Sequence, residues 1–185
     1  MQRKYIYLLL PVFTFAGIGL LLPREVKVER SVRINAPIES VFQQVSDLRS
    51  WDEWSGLMPT DSAMNLEFLH DAKADTGYCW LTKEIVPQKR RLLVTGTAWC
   101  DSLSAKMSFD KDDIASSCFH FSEQDGTTVV RWEFRKKLDN NLIGAWAGPF
   151  IHNIVAPDLA VGLNRLKSVS EEKEHDRQIS ELQTR

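Results

Sequence analysis

The chain has 185 residues, 43% of them hydrophobic and 26% charged, with a formal net charge of −2. That near balance excludes a protein built chiefly to hold nucleic acid, because phosphate recognition needs a concentrated basic surface. It suits one ordinary globular domain of roughly 150 residues beyond any leader, enough to bury a core.

The first element is an uncharged run from Tyr5 to Leu22. As a helix it would extend about 27 Å, close to the hydrocarbon thickness of a bilayer. Pro11 sits early in it, where membrane helices tolerate such breaks, and Tyr5 and Tyr7 suit the interface. The rival is a cleavable signal peptide, with Arg3 and Lys4 as its basic start and Thr14-Phe15-Ala16 as a loose cleavage site. Cutting there would leave the apolar stub Gly17 to Leu22 exposed, so a single-pass N-terminal anchor over residues 1–23 is expected. Basic residues flank both sides, Arg3 and Lys4 before and Arg24, Lys27, Arg30 and Arg33 after. The flanking charges alone leave both orientations open; a short basic N-terminal tail is expected to stay in the cytoplasm, which would put the following domain on the extracytoplasmic side.

From Val26 to Ile34 apolar and polar residues alternate as in a half-buried strand, interrupted at Arg30. Pro37 stands at a natural first helical position, and Ile38, Val41, Phe42 and Val45 recur at helical spacing up to Ser46. A second short helix is expected from Asp47, with Leu48, Trp51 and Trp54 on one side. From about Met64 to Leu138 the period switches to two. Turn signals fall at Asp75-Thr76-Gly77, Pro87-Gln88, Cys100-Asp101-Ser102, Lys111-Asp112-Asp113 and Gln124-Asp125-Gly126, the spacing of an antiparallel meander. Lys89-Arg90-Arg91 after Pro87 reads as a solvated hairpin tip. Cys79, Cys100 and Cys118 form no C-x-x-C and lack nearby histidines, so structural zinc has no support. They read as small apolar strand residues, none directly opposite another, with one disulfide as the alternative in an oxidising compartment. From Asn141 helical spacing returns through Leu142, Trp146, Phe150 and Ile154, then Leu159, Leu163, Leu166 and Val169. Gly148-Pro149 and Pro157 are expected to bend or interrupt it. Residues 171–185 read as a polar, frayed tail, leaving 24–170 as the domain.

The string VERSVRINAPIESVFQQVSDLRSWDEWS resembles the opening of the START-like (SRPBCC) polyketide cyclase/dehydrase superfamily, in a membrane-anchored bacterial form. The similarity continues in Glu84-Ile85-Val86-Pro87, in Gly126-Thr127-Thr128-Val129-Val130-Arg131-Trp132 and in Gly162-Leu163-Asn164-Arg165-Leu166-Lys167. It implies an α+β helix-grip (Bet v 1-like) fold, in which a curved antiparallel sheet wraps a C-terminal helix around a cavity. Two short helices follow the first strand, and here a transmembrane helix would precede it.

The resemblance also implies an apolar ligand. Candidate ligand-binding residues are Trp80, Trp99, Met107, Phe109, Trp132, Phe134, Trp146 and Phe150, each equally able to serve as plain core. Trp51 and Trp54 either rim the cavity mouth or pack the helical pair onto the sheet. No nucleophile elbow, Gly-rich phosphate loop or H-E-x-x-H is present, so neither a catalytic residue, nor a cofactor, nor a metal is assigned. His120 and His152 are the histidines able to meet inside a cavity. Arg131 and Glu133 lie opposite Trp132 and Phe134 and are expected to form surface cross-strand pairs. The functional expectation is a membrane-tethered module that binds a hydrophobic small molecule such as a lipid, quinone or polyketide. The alternatives are a cyclase/dehydratase-type enzyme working through His120, His152 or a buried carboxylate, and a protein-interaction module with a filled cavity.

Overall fold

A computed structural model describes residues 14, 17–19, 21–55, 67–70, 76–81, 89–108, 113–139 and 141–184, with 67–70, 76, 78–81, 89 and 142 given by backbone alone. Most of the Tyr5 to Leu22 run, Phe109 and the turns assigned at Pro87 and Lys111 lie outside these residues. Among the described residues, no helix is long and apolar enough to cross a membrane.

Strand β1 (Glu25–Ile34) buries Val26, Val28 and Ile34 and leaves Lys27, Glu29 and Arg33 exposed. Pro37, with φ −59°, leads into α1 (Ile38–Ser46), whose Val41, Phe42 and Val45 face the core. Asp47 ends that helix in an extended conformation, and its side chain accepts from Arg49 N at 3.0 Å. This cap starts a 3-10 turn (Leu48–Ser50) that runs directly into α2 (Trp51–Trp54). The bent pair read from the sequence is therefore one capped switch of direction.

The meander comprises β2 (Glu67–His70), β3 (Thr76–Leu81), β4 (Lys89–Ala98), β5 (Ser102–Ser108), β6 (Ile114–Gln124) and β7 (Thr127–Lys137). With β1 they form a seven-stranded antiparallel sheet ordered β1-β7-β6-β5-β4-β3-β2. Asp125 and Gly126 both have positive φ, the two-residue turn whose twist matches its strands. Two expectations change here. Lys89, Arg90 and Arg91 open β4 opposite Leu81, Trp80 and Cys79, because pairing satisfies backbone groups that a turn would leave to water. Thr76 and Gly77 belong to β3, and Gly77 is needed there because a Cβ would collide with Leu92 O. A bulge between Val94 and Gly96 shifts the side-chain alternation of β4.

The last element, α3 (Leu142–Gln183), is capped by Asn141, whose Oδ1 accepts from Gly144 N at 2.6 Å. Of the two expected outcomes, a bend or an interruption, interruption does not occur: one helix runs through Pro149 and Pro157. Each interior proline costs about 3 kcal/mol of helix or more. Burial of Ala156, Leu159, Leu163 and Leu166 against the sheet offsets that cost. The frayed tail is likewise replaced by helix, sustained by Lys167–Glu171, Arg177–Glu174 and Arg177–Glu181 pairs at helical spacing. The course of α3 is parallel to β1. Gly148 lies beside Val26, and Glu171 accepts from Asn35 N at 2.7 Å, so about 34 Å of helix matches about 30 Å of strand. Lys173 Nζ ties the far end down, donating to Gln44 Oε1 at 2.9 Å and Glu53 Oε2 at 2.8 Å.

Candidate functional site

The face of the sheet turned toward the helices is built in rows fixed by strand register. One row joins Leu103, Phe119 and Trp132. Above it lie Trp51 and Trp54, both fully buried. Phe119 stacks on Trp132 at 4.8 Å between ring centroids, Trp54 meets Trp132 edge-on at 5.9 Å, and Trp51 lies 5.0 Å from Trp54. Trp51 Nε1 donates to Val45 O at 2.7 Å. The two tryptophans of α2 therefore pack it onto the sheet and do not rim an opening. The helix α3 closes on this row through Gly162, where a Cβ would come within 2.9 Å of Trp132 Cζ3.

The neighbouring rows are different. Val94, Ala105, Ser117 and Phe134 form the next, and Leu92, Met107 and Ala115 the one after. Ala105 and Ala115 are buried, yet their side chains are the smallest available, so the floor of the sheet is low here. Since α3 packs chiefly along β1, this low floor lies beside the helix and not under it. The aromatic row of Leu103, Phe119 and Trp132 bounds it on one side, and Val94, Phe134, Leu92 and Met107 flank the two alanines along their own rows.

Two polar atoms in this interior lack a partner. Trp54 Nε1 and Trp132 Nε1 are buried and have no hydrogen-bond acceptor among the described residues. A buried donor left unmade costs about 1–3 kcal/mol, and such groups in a native fold call for an explanation, commonly a bound molecule or an ordered water.

The sequence-derived site residues divide as follows. Met107, Trp132 and Phe134 come together on the inner wall, all buried. Trp80 lies on β3 opposite Arg90, its side chain outside the described set along with the whole of Phe109. Trp99 stands in the β4–β5 turn, largely exposed, with its ring 5.1 Å from Phe42. Trp146 is half-buried in the first turns of α3, and Phe150 is exposed on the side of that helix away from the sheet. Phe119 and Phe121, which complete the aromatic wall on β6, are not among the candidate residues named from the sequence. The signal for them was present, since Phe119 and Phe121 alternate with Cys118 and His120.

His120 and His152 do not meet inside. His120 is exposed on the outer face of β6, where its Nε2 lies 3.4 Å from Cys118 Sγ, and His152 is exposed on α3. Cys100 and Cys118 are free thiols, and burial raises the pKa of Cys100. Among the described residues no three His, Cys, Asp or Glu side chains converge on a common point. The outer face carries the expected cross-strand pairs. Lys27 Nζ lies 2.8 Å from Glu133, Arg135 bonds the same carboxylate, and Arg131 reaches Glu29 at 3.5 Å. The Arg135 hydrogen bond, aided by Lys27, holds the Glu133 carboxyl down at about 2.

A curved antiparallel sheet gripping one long C-terminal helix, with a low-floored apolar wall beside it, defines the helix-grip class. Residues 25–171 match the family model for polyketide cyclase / dehydrase and lipid transport, and the chain belongs to that family. No protein of curated function matches it significantly. Among solved structures it is similar to a Staphylococcus aureus protein of unknown function, at 13% identity and TM-score 0.63, over 80% of this chain and 95% of that one. It is also similar to the ZhuI aromatase/cyclase of Streptomyces sp. R1128, at 12% identity and TM-score 0.57, over 80% and 95%. The di-domain aromatase/cyclase BexL of the BE-7585A biosynthetic pathway matches at 14% identity and TM-score 0.58, over 80% of this chain and 50% of that one. At such identities the likeness is one of fold.

Proposed function

We propose that this chain is a membrane-tethered carrier for an apolar small molecule bearing at least one hydrogen-bond acceptor, held on the inner wall between the sheet and α3. The observation that carries the reading is the pair of buried, unpartnered indole N–H groups of Trp54 and Trp132, in the aromatic cluster whose row adjoins that of Ala105. A guest with a carbonyl or hydroxyl oxygen supplies the missing acceptor, while its apolar body covers Ala105, Ala115 and Met107. A lipid, a quinone and a polyketide-like molecule all have this chemistry, and family membership supports it.

Residues 1–23 act as the tether in this reading, with 24–170 as the carrier domain on the extracytoplasmic side. An apolar guest partitions into the bilayer, so tethering raises the effective concentration at which carrier and guest meet. Catalysis is the lesser alternative, because His120 and His152 stand outside the wall and Lys136, which shares its row with Ala115, is tied to Asp113 at 2.6 Å. The test is uptake of a fluorescent polyene fatty acid by delipidated full-length protein. Saturable binding of one probe per chain is expected. Absence of uptake by a chain with an intact circular dichroism spectrum would refute the carrier.

A further inference from the structure

Helix α3 continues past residue 171, where the family match ends, and there it faces α1 and the 3-10 turn across an open cleft of about 510 Å³. That volume lies within the range of small-molecule sites, about 300–1,000 Å³. The cleft shares no residue with the aromatic row or the alanine floor. Its chemistry follows from the sequence of α1, which commits Val41, Phe42 and Val45 to the core and so turns Ser40, Gln43 and Gln44 toward the cleft. Ser50 of the 3-10 turn and Ser170 of α3 add two more hydroxyls.

Ser170 stands apart from the others. It is 3% exposed, and its Oγ is buried with no hydrogen-bond partner among the described residues. A serine or threonine within a helix can donate back to the carbonyl four residues earlier. Ser168 Oγ does so to Asn164 O at 3.2 Å, and Thr184 Oγ to Ser180 O at 3.0 Å. Ser170 forgoes that bond while lining the cleft, so a polar group entering from the cleft would satisfy a hydroxyl that is otherwise buried at a cost.

The charges around it are already matched from within. Lys173 Nζ donates to Glu53 Oε2 at 2.8 Å and to Gln44 Oε1 at 2.9 Å. Arg177 donates to Glu174 through Nε at 3.1 Å and Nη2 at 2.9 Å, and that contact holds the Glu174 carboxyl below its ordinary value. Asp47 accepts from Arg49 N. The lining thus carries two cations, Lys173 and Arg177, against two carboxylates, Asp47 and Glu174. A charged ligand would meet like charge as well as opposite charge and would have to break an existing pair. A neutral ligand meets neither obstacle, and hydroxyl groups, which both donate and accept, match serine hydroxyls and glutamine amides alike.

We propose that this cleft is a second binding site, for a small neutral polyhydroxylated molecule, a sugar or polyol, with Ser170 Oγ as its deepest contact. The site depends neither on the tether nor on the inner wall.

The test is saturation-transfer NMR of the full-length chain in a detergent without a sugar headgroup. Glucose, trehalose and myo-inositol serve as neutral probes, with glycine and methylphosphonate as charged comparators. Saturable transfer to at least one neutral probe, and none to the comparators, is expected. Ser170→Ala should weaken that binding roughly 2- to 12-fold, the loss of one neutral hydrogen bond. Ser168→Ala, whose hydroxyl is already bonded to Asn164 O, should leave it unchanged. Circular dichroism and the urea midpoint establish that both variants are folded. Absence of transfer to every neutral probe, transfer to glycine or methylphosphonate in their place, or an affinity that Ser170→Ala leaves intact would each overturn the proposal.

Discussion

Trp54 and Trp132 each place a hydrogen-bond donor in an apolar interior, and replacing either by Phe keeps the ring while removing the donor. Without a guest, Trp54→Phe is expected to leave stability unchanged or slightly higher, because an unmet donor disappears. With the guest, the same change should weaken binding by about 1–3 kcal/mol, roughly 5- to 150-fold. Probe titration beside urea unfolding separates the two effects, and a loss of stability with unchanged affinity would show that the indole serves the fold alone. Gly162 supplies a complementary test of packing. Alanine there gains about 1 kcal/mol of helix propensity, but its Cβ would stand 2.9 Å from Trp132 Cζ3 beneath a rigid ring. Overpacking of this kind costs about 1–3 kcal/mol, so Gly162→Ala is expected to destabilise on balance, read as a lower urea midpoint at constant slope.

At the scale of elements, the β1–β7 pairing carries a pH signature. The Glu133 carboxyl sits at about 2 in the fold against an ordinary 4.5, so its ionised form stabilises the folded state at and above pH 4.5. That contribution is lost as pH falls from 4.5 through about 2, and Glu133→Gln should flatten the acid limb of the stability profile over that window. The cap of α3 is equally testable. Asn141→Ala removes the acceptor for Gly144 N and is expected to cost about 1 kcal/mol in thermal unfolding. Local signals made β1, α1 and the Asp125-Gly126 turn legible in the sequence, because alternation, Pro37 and a turn pair act within a few residues. The continuity of α3 was not legible, since the two prolines argue against it locally and only packing along β1 outweighs them. The entry of Lys89 into β4 depends equally on a partner strand. In the candidate site, Met107, Trp132 and Phe134 follow from strand alternation. The outward placement of Phe150 does not, because a helix apolar on both faces gives no indication of which one meets the sheet.

The molecule as a whole joins an apolar N-terminal run to a grip fold whose interior is aromatic along one row and low beside it. These parts form one device if the domain exchanges an oily guest with the bilayer to which it is proposed to be tethered. On the proposed reading, in which the tether sets encounter and the wall sets binding, deleting residues 1–23 should slow loading from vesicles while leaving the affinity for a soluble probe unchanged. Stopped-flow transfer from labelled vesicles reads the first, and equilibrium titration the second. The most direct test of the central claim is native mass spectrometry of the full-length chain extracted in mild detergent. A single apolar small molecule is expected to accompany each chain and to be depleted in Trp54→Phe. A bare chain mass, in protein that also takes up no apolar probe, would contradict the account.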